Sequence, residues 1–225
     1  MTKIFSDYAK YYNLIYSTKN YKSEAEFVFN WANKPKTIIE IGCGTGRHIY
    51  HLAPKVEQII GTDASLEMLS LAYIHTKKFK NVRYIFNKTD KKLLDLPKVD
   101  CAMALFNVMG YCFLEECLPH LPLKRGGYFI FDIWDASKFK QYPPVPKVKY
   151  FGLAYRVAIP KQISKRLLRI DYIIVEGKEV KVFERHFVQG YFQKDIEQLC
   201  KLHNYKISDI KPTKEWTCWY KLQKL

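Results

Sequence analysis

The chain has 225 residues, 48% hydrophobic and 16% aromatic, with 37 Lys and Arg against 22 Asp and Glu and a net charge of +15. This argues against disorder and leaves room for one domain with a sizeable core, at most carrying a small extra lobe. No apolar run approaches the roughly 18 residues that span a bilayer, and the opening MTKIFSDYAKYYNLIY breaks any signal-peptide core with charges and tyrosines.

In chain order, residues 5–16 form a short aromatic segment with Tyr8, Tyr12 and Ile15 or Tyr16 near one helical face. Ser23 is placed to cap the next helix, with Glu26 completing a capping box. That helix, about 23–33, turns Phe27, Val28 and Trp31 inward and ends before Lys34-Pro35. TIIEIGCGTGRHIYHLA predicts a β-branched strand at 37–41, a glycine turn and a helix at 46–53. A second strand ends near Asp63, and SLEMLSLAYIHTKK follows as a helix. Strands at 82–87 and 99–107, a helix at 112–121 and a strand at 126–134 complete an alternation that points to a parallel sheet covered on both faces.

Residues 136–150 are rich in Lys and Pro and are expected to be irregular. VKYFGLAYRVAIP, KRLLRIDYIIV and KEVKVFERHFVQGY read as successive strands of an antiparallel excursion over 148–190. QKDIEQLCKLHNY is an amphipathic helix, and KISDIKP and TCWYKLQKL are the final strands. Cys43, Cys101, Cys112, Cys117, Cys200 and Cys218 show neither CxxC pairs nor the spacing of a zinc module. The expectation is a reduced, cytoplasmic, metal-free protein.

The informative stretch is Glu40-Ile41-Gly42-Cys43-Gly44-Thr45-Gly46. A strand, a glycine turn and a helix start bring backbone close to a ligand. Gly46 is followed by Arg47-His48 rather than Lys-Ser/Thr, which argues against a phosphate-cradling NTPase loop. The third glycine comes one position early for a dinucleotide fingerprint, and Glu40 would repel a pyrophosphate while tolerating a cationic sulfonium or ammonium. Asp63, at the end of the second strand, is positioned either to accept both hydroxyls of a ribose or to cap the helix that Ser65 begins.

EIGCGTG and IIGTDASLEML together resemble the first two motifs of the class I S-adenosylmethionine-dependent methyltransferases, over about residues 37–134. The resemblance implies a Rossmann-like, seven-stranded, mostly parallel α/β sheet with helices on both faces and an antiparallel insertion near the acceptor site. It divides the single domain into a helical cap (1–33), a cofactor core (34–135), the insertion (136–190) and a C-terminal helix with the last strands (191–225). It implies that Gly42, Gly44 and Gly46 line the methionine part of S-adenosyl-L-methionine, the product being S-adenosyl-L-homocysteine, and that Cys43, Ala64 and Met68 also contact the cofactor. Glu40 would stand near the amino end, Asp63 at the ribose, and Leu105 and Phe106 at the edge of the fourth strand. After the third strand the family usually has Gly-Asp at the adenine. Here Phe86-Asn87-Lys88-Thr89-Asp90 stands, so Asn87, Thr89, Asp90 or a backbone group takes that place.

At finer scale Tyr12, Tyr16, Lys19-Asn20-Tyr21 and Glu24-Ala25 are similar to the N-terminal segment of enzymes that dimethylate nucleotide-linked deoxyamino sugars. That similarity implies a tyrosine cap, with Tyr21 at the cofactor and Tyr12 and Tyr16 at the acceptor. Tyr111, just past the fourth strand, could orient an acceptor atom, and Asn107 and Trp134 lie at the same edge. Arg185 could meet a diphosphate, and His186 could accept a proton. Tyr111, His186 and Tyr12 are the candidates for catalysis.

The expected acceptor is therefore the amine of a nucleotide-linked amino sugar, a phosphate-bearing small molecule. An RNA (tRNA or rRNA) acceptor and small-molecule O-methylation are the alternatives. The +15 charge suits RNA, but the basic residues are scattered and no RNP-like aromatic run appears. No membrane partner is expected, and the insertion is a candidate surface for a homodimer.

Overall fold

The computed structural model describes residues 4–87, 93, 95–139, 145–213 and 215–225. Two short helices lead: α1 (Ala9–Ile15) and α2 (Tyr21–Trp31). The alternating part runs β1 (Thr37–Ile41), α3 (Arg47–Leu52), β2 (Gln58–Asp63), α4 (Leu66–Thr76), β3 (Val82–Phe86), β4 (Val99–Ala104), α5 (Met109–Cys112), α6 (Leu114–Cys117) and β5 (Leu123–Trp134). Four antiparallel strands follow: β6 (Lys147–Phe151), β7 (Ala154–Gln162), β8 (Leu167–Glu176) and β9 (Glu179–Gln189). The chain ends in α7 (Gln193–Leu202), β10 (Tyr205–Pro212) and β11 (Thr217–Lys224).

The large sheet has the order β10-β11-β5-β4-β1-β2-β3, and the insertion forms its own sheet, β6-β7-β8-β9. β1 pairs in parallel with both β2 and β4, and β5 joins β4 in parallel. β11 joins β5 antiparallel, and β10 joins β11. Alternate residues of the buried strands face opposite layers. Ile39, Ile41, Phe129 and Phe131 pack with Leu114, Cys117, Ile196 and Cys200 beneath α6 and α7. Ile38, Ile59, Cys101, Met103 and Ile130 pack with Val28, Ile49, Leu52 and Leu69 beneath α2, α3 and α4. Among the described residues no helix is long and apolar enough to cross a membrane.

Four local expectations change. The second helix begins at Tyr21 and is capped by Asn20, whose side chain accepts from the Ser23 N–H at 3.0 Å; Ser23 is inside the helix, so it is not the cap. The helix expected at 112–121 is instead two single turns and a 3-10 turn at Leu118–His120, because Phe113 at φ +55 breaks the run. β5 starts at Leu123, earlier than 126, since the Lys124-Arg125-Gly126-Gly127 stretch stays extended with a positive-φ Gly126. The first insertion strand is two strands, divided at Gly152 (φ +57).

Phe131 is fully buried and stacked between Phe129 and Tyr220, at ring-centroid distances of 4.8 and 5.5 Å. Phe131→Ala should cost roughly 3–5 kcal/mol, to be read as a lowered midpoint in urea-induced unfolding.

Candidate active site

β1 lies between β2 and β4, so the chain leaves its carboxyl end in one direction for β2 and β3 and in the other for β4 and β5. Such a reversal opens a crevice beyond the strand ends. The glycine loop after β1 fits this crevice by necessity. Gly42 takes φ +63, and a Cβ there would stand 2.6 Å from Val108 Cγ1. Gly44 takes φ +54, and a Cβ there would meet nothing within 4 Å, so its bare backbone faces open space.

Asp63 ties this loop to the end of β2. One carboxylate oxygen accepts from the Gly44 N–H at 2.9 Å and the other from the Ser65 N–H at 2.9 Å. Ser65 is the cap of α4, its hydroxyl accepting from the Met68 N–H at 3.2 Å, so Asp63 is free of that duty and lines the cavity. Burial raises its pKa.

Glu40 ends a buried charge ladder. Its Oε1 lies 2.9 Å from His48 Nδ1, and His48 Nε2 lies 3.0 Å from Glu24 Oε2, which in turn pairs with Lys19. Burial alone would lower the His48 pKa, but the two carboxylates win and push it up to about 9. Among the described residues Glu40 Oε2 is buried without a hydrogen-bond partner, and the Tyr21 hydroxyl is buried nearby. Both residues line a small hollow that also holds Gly42, Cys43, Gly44, Leu105 and Phe106.

Asp132, at the end of β5, holds the turn after β4. Its carboxylate accepts from the backbone N–H groups of Phe106 and, at 3.1 Å, Asn107. Those residues sit at φ +73 and +59, a conformation costly for side-chain-bearing residues and fixed here by the carboxylate. Burial pushes the Asp132 pKa up to about 6. Asn107 passes the restraint on, accepting from the Trp134 N–H at 3.0 Å.

A cavity of about 1070 Å³ runs from the glycine loop to Tyr111 and Trp134. Of the expected residues, Tyr12, Tyr16, Gly42, Gly44, Asp63, Ala64, Met68, Leu105, Phe106, Asn107, Tyr111 and Trp134 line it. Tyr21, Glu40 and Cys43 line the adjoining hollow. Thr89 and Asp90 lie outside the described residues, and Asn87 lines the cavity where they were expected to contribute. Gly46 lines neither space. It starts α3, and a Cβ there would stand 2.8 Å from the Tyr84 hydroxyl, so its smallness serves packing between α3, α4 and β3.

Two insertion residues are placed differently from expectation. Arg185 does not reach the cavity: it points to the outer face of β9 and binds Asp171 through contacts of 2.7 and 3.2 Å. The arginine behind the tyrosine cap is Arg156 of β7, which donates to the hydroxyls of Tyr8 at 3.1 Å and Tyr16 at 2.9 Å. His186 is fully buried and stands behind Tyr111, whose hydroxyl is 3.1 Å from its Nδ1. Tyr8, Tyr172, Glu116 and His120 also line the cavity. Tyr8 shares the helical face expected for Tyr12, whereas nothing in the local sequence marked Tyr172, Glu116 or His120, which tertiary packing brings there.

The donor set fits S-adenosylmethionine. The buried, unpartnered Glu40 Oε2 suits its cationic amino group, the bare Gly44 backbone admits the methionine part, and Asp63 suits the ribose. Glu40→Gln should weaken S-adenosylhomocysteine binding by about 1.5–3 kcal/mol, the worth of a charged hydrogen bond, as measured by isothermal titration calorimetry. The His48 pKa, raised above 6.5 by folding, means its stabilisation is complete below pH 6.5 and lost as pH rises through about 9. Unfolding free energy should therefore fall across that window, and His48→Asn should flatten the fall.

Residues 38–121 match the model of a family described as a methyltransferase domain. A probable S-adenosylmethionine-dependent methyltransferase of Saccharomyces cerevisiae, CRG1, is 28% identical over 121 residues, covering 51% of this chain and 41% of that one. The chain spans less than two thirds of the length of the curated relatives it matches. An S-adenosylmethionine-dependent methyltransferase from Clostridium acetobutylicum superposes with a TM-score of 0.78 at 22% identity, over 96% of each chain. CalS10, an amino pentose methyltransferase from Micromonospora echinaspora, superposes with a TM-score of 0.77 at 14% identity, over 100% of this chain and 99% of that one. The chain thus has the fold of these solved S-adenosylmethionine-dependent methyltransferases, and its residues 38–121 are similar to a methyltransferase domain.

Proposed function

We propose that this protein transfers a methyl group from S-adenosylmethionine to the amine of a phosphate-bearing small molecule, a nucleotide-linked amino sugar. The observation that carries the reading is a single cavity of about 1070 Å³ lined by the glycine loop and Asp63 at one end and by Tyr111 and Trp134 at the other. One space for two ligands is what direct transfer between them requires. The amino-sugar part of the reading draws on the likeness to an amino pentose methyltransferase.

Bound S-adenosylmethionine supplies an electrophilic methyl on a sulfonium sulfur. The protein's own part is orientation, water exclusion and the handling of one proton. Glu40, Tyr21 and the glycine loop hold the methionine end, Asp63 with Ala64 and Met68 the ribose, and Asn87 is placed for the base. Tyr16 packs edge-on against Phe106 with ring centroids 4.8 Å apart, and Tyr12 lies 4.7 Å from Tyr16, so the cap presents a wall of rings that keeps water from the methyl. Trp134 offers a ring face for a sugar or base, and Tyr111 backed by His186 takes the acceptor's proton. Lys19, Lys149 and Arg156 gather at the same tyrosines and Phe106, which supports an anionic acceptor.

Other parts of the reading rest on separate features. All six cysteines are free thiols, which supports a reducing, cytoplasmic setting. Phe183 and Phe187 are half-exposed on the outer face of β9, which supports self-association through the insertion.

The test is methyl transfer scored by mass spectrometry across nucleotide-linked amino sugars, nucleotide-linked neutral sugars and tRNA. The expected result is one or two methyl groups added to the amino sugars, with Trp134→Ala raising the acceptor KM about tenfold at unchanged cofactor affinity. Transfer to tRNA alone, weakening steeply with salt, would replace the acceptor by RNA. Transfer to a neutral sugar's hydroxyl would replace N- by O-methylation.

A further inference from the structure

β9 is folded against its own hydrophobic pattern. Along VFERHFV the large apolar residues Phe183 and Phe187 face outward at 56% and 51% exposure, while Glu184 and His186 face inward at 6% and 0%. Burying an acid and an imidazole while exposing two phenylalanines is costly unless the inward pair is fully bonded. It is. Glu184 Oε2 accepts from the Phe5 N–H at 2.8 Å and lies 3.0 Å from His186 Nε2, and Oε1 accepts from the Tyr8 N–H at 3.2 Å. His186 Nδ1 lies 3.1 Å from the hydroxyl of Tyr111, a residue that lines the cavity.

For an ionised carboxylate and an imidazole carrying one hydrogen, these contacts give a direction to the bonds that run from Glu184 to Tyr111. A carboxylate that already takes two backbone N–H groups can only accept, so the hydrogen between Glu184 and His186 belongs to His186 Nε2. With its hydrogen on Nε2 alone, the imidazole has a lone pair on Nδ1 that the Tyr111 hydroxyl is placed to donate to. The tyrosine's only proton is then turned toward His186, and its oxygen, which also shares a hydrogen bond with the Tyr172 side chain, is left to accept.

We propose that Glu184 is a positioning residue that sets the polarity of the acceptor subsite, making the Tyr111 oxygen a hydrogen-bond acceptor that selects an N–H or O–H nucleophile, and that the same carboxylate latches the N-terminal segment over it. This rests on the methyl-transfer reading for its consequence in turnover, but not for the polarity itself. During transfer, the acceptor nitrogen's surplus proton passes to the Tyr111 oxygen as the tyrosine proton passes to His186 Nδ1. The phenol ends neutral, and the charge ends as an imidazolium against the Glu184 carboxylate. Phe5, Tyr8 and Tyr172 pack edge-on or tilted around the His186 ring, at centroid distances of 4.8, 6.5 and 4.8 Å. Phe5 itself is held at φ +61, a left-handed conformation for which the bond to Glu184 is a restraint.

Two measurements separate the polarity from the reaction. Nitrogen-15 NMR of the free protein reads the His186 tautomer directly. A proton on Nε2 with Nδ1 bare is expected, and a proton on Nδ1 would overturn the proposal whatever the protein methylates. In turnover, Glu184→Gln keeps an oxygen for the Phe5 and His186 N–H groups but removes the charge. It should lower kcat about a hundredfold, within the range for positioned proton transfer, with cofactor affinity changed less than threefold. Tyr111→Phe should lose about as much, and the double variant no more than either alone. Glu184→Ala should in addition free the N-terminal segment, seen as faster tryptic cleavage at Lys10. A Glu184→Gln kcat within twofold of the parent, or additive losses in the double variant, would overturn the relay. The expected tautomer with no acceptor methylated would instead overturn the reaction reading.

Discussion

Three carboxylates, Glu40, Asp63 and Asp132, are buried where parallel strands end, and the site exists because each is tied to a different turn. A buried charge is tolerable only when bonded. Here the partners are the backbone of the glycine loop, the backbone of the turn after β4, and a histidine on α3. The same bonds that make the acids tolerable hold the loops open around empty space, so the electrostatic requirement and the shape of the crevice are met together. Their raised pKa values come from one cause, burial, and mark the edge of the sheet as a low-dielectric place where a cationic ligand is welcome.

The roof of the crevice is built from segments far apart in sequence. Residues 5 and 8 hang from Glu184, Tyr8 and Tyr16 hang from Arg156, and Asn13 receives the Thr45 hydroxyl at 2.7 Å. The insertion sheet is therefore a scaffold for the N-terminal cap as much as a wall of the acceptor pocket. Since α1 has only seven residues, it could not hold its place by helix propensity alone. Its position depends on side chains of β7 and β9.

The cofactor half was readable because its signals are local. Glycines that need positive φ, an acid one residue before the turn and an acid at the next strand end are adjacent to the structure they specify. The acceptor half was not, for reasons of parity and packing. In an antiparallel strand a shift of one residue exchanges the faces, so Arg185 and His186 could not both serve the pocket, and the outward Phe183 and Phe187 give no apolar pattern from which to choose the inward face. Arg156 carried no mark in its surroundings. The Asn20 cap was hidden because Ser23, three residues on, is an equally plausible cap until the backbone is seen. Asp132 was legible as a strand end but not as the anchor of a strained turn, a role that needs the β4 connection beside it.

The close packing of Gly42 against Val108 joins two halves of the molecule that would otherwise change independently. Val108 borders the acceptor side of the cavity, yet its methyl groups occupy the space a Cβ at residue 42 would need. A mutation that enlarges the acceptor pocket at residue 108 also withdraws the support of the cofactor loop. A mutation at residue 42 can be accommodated only if residue 108 shrinks first. Acceptor preference in a lineage carrying this pair can drift readily at Trp134, which abuts no glycine of the loop, but at Val108 only along paths in which two substitutions arrive in a set order.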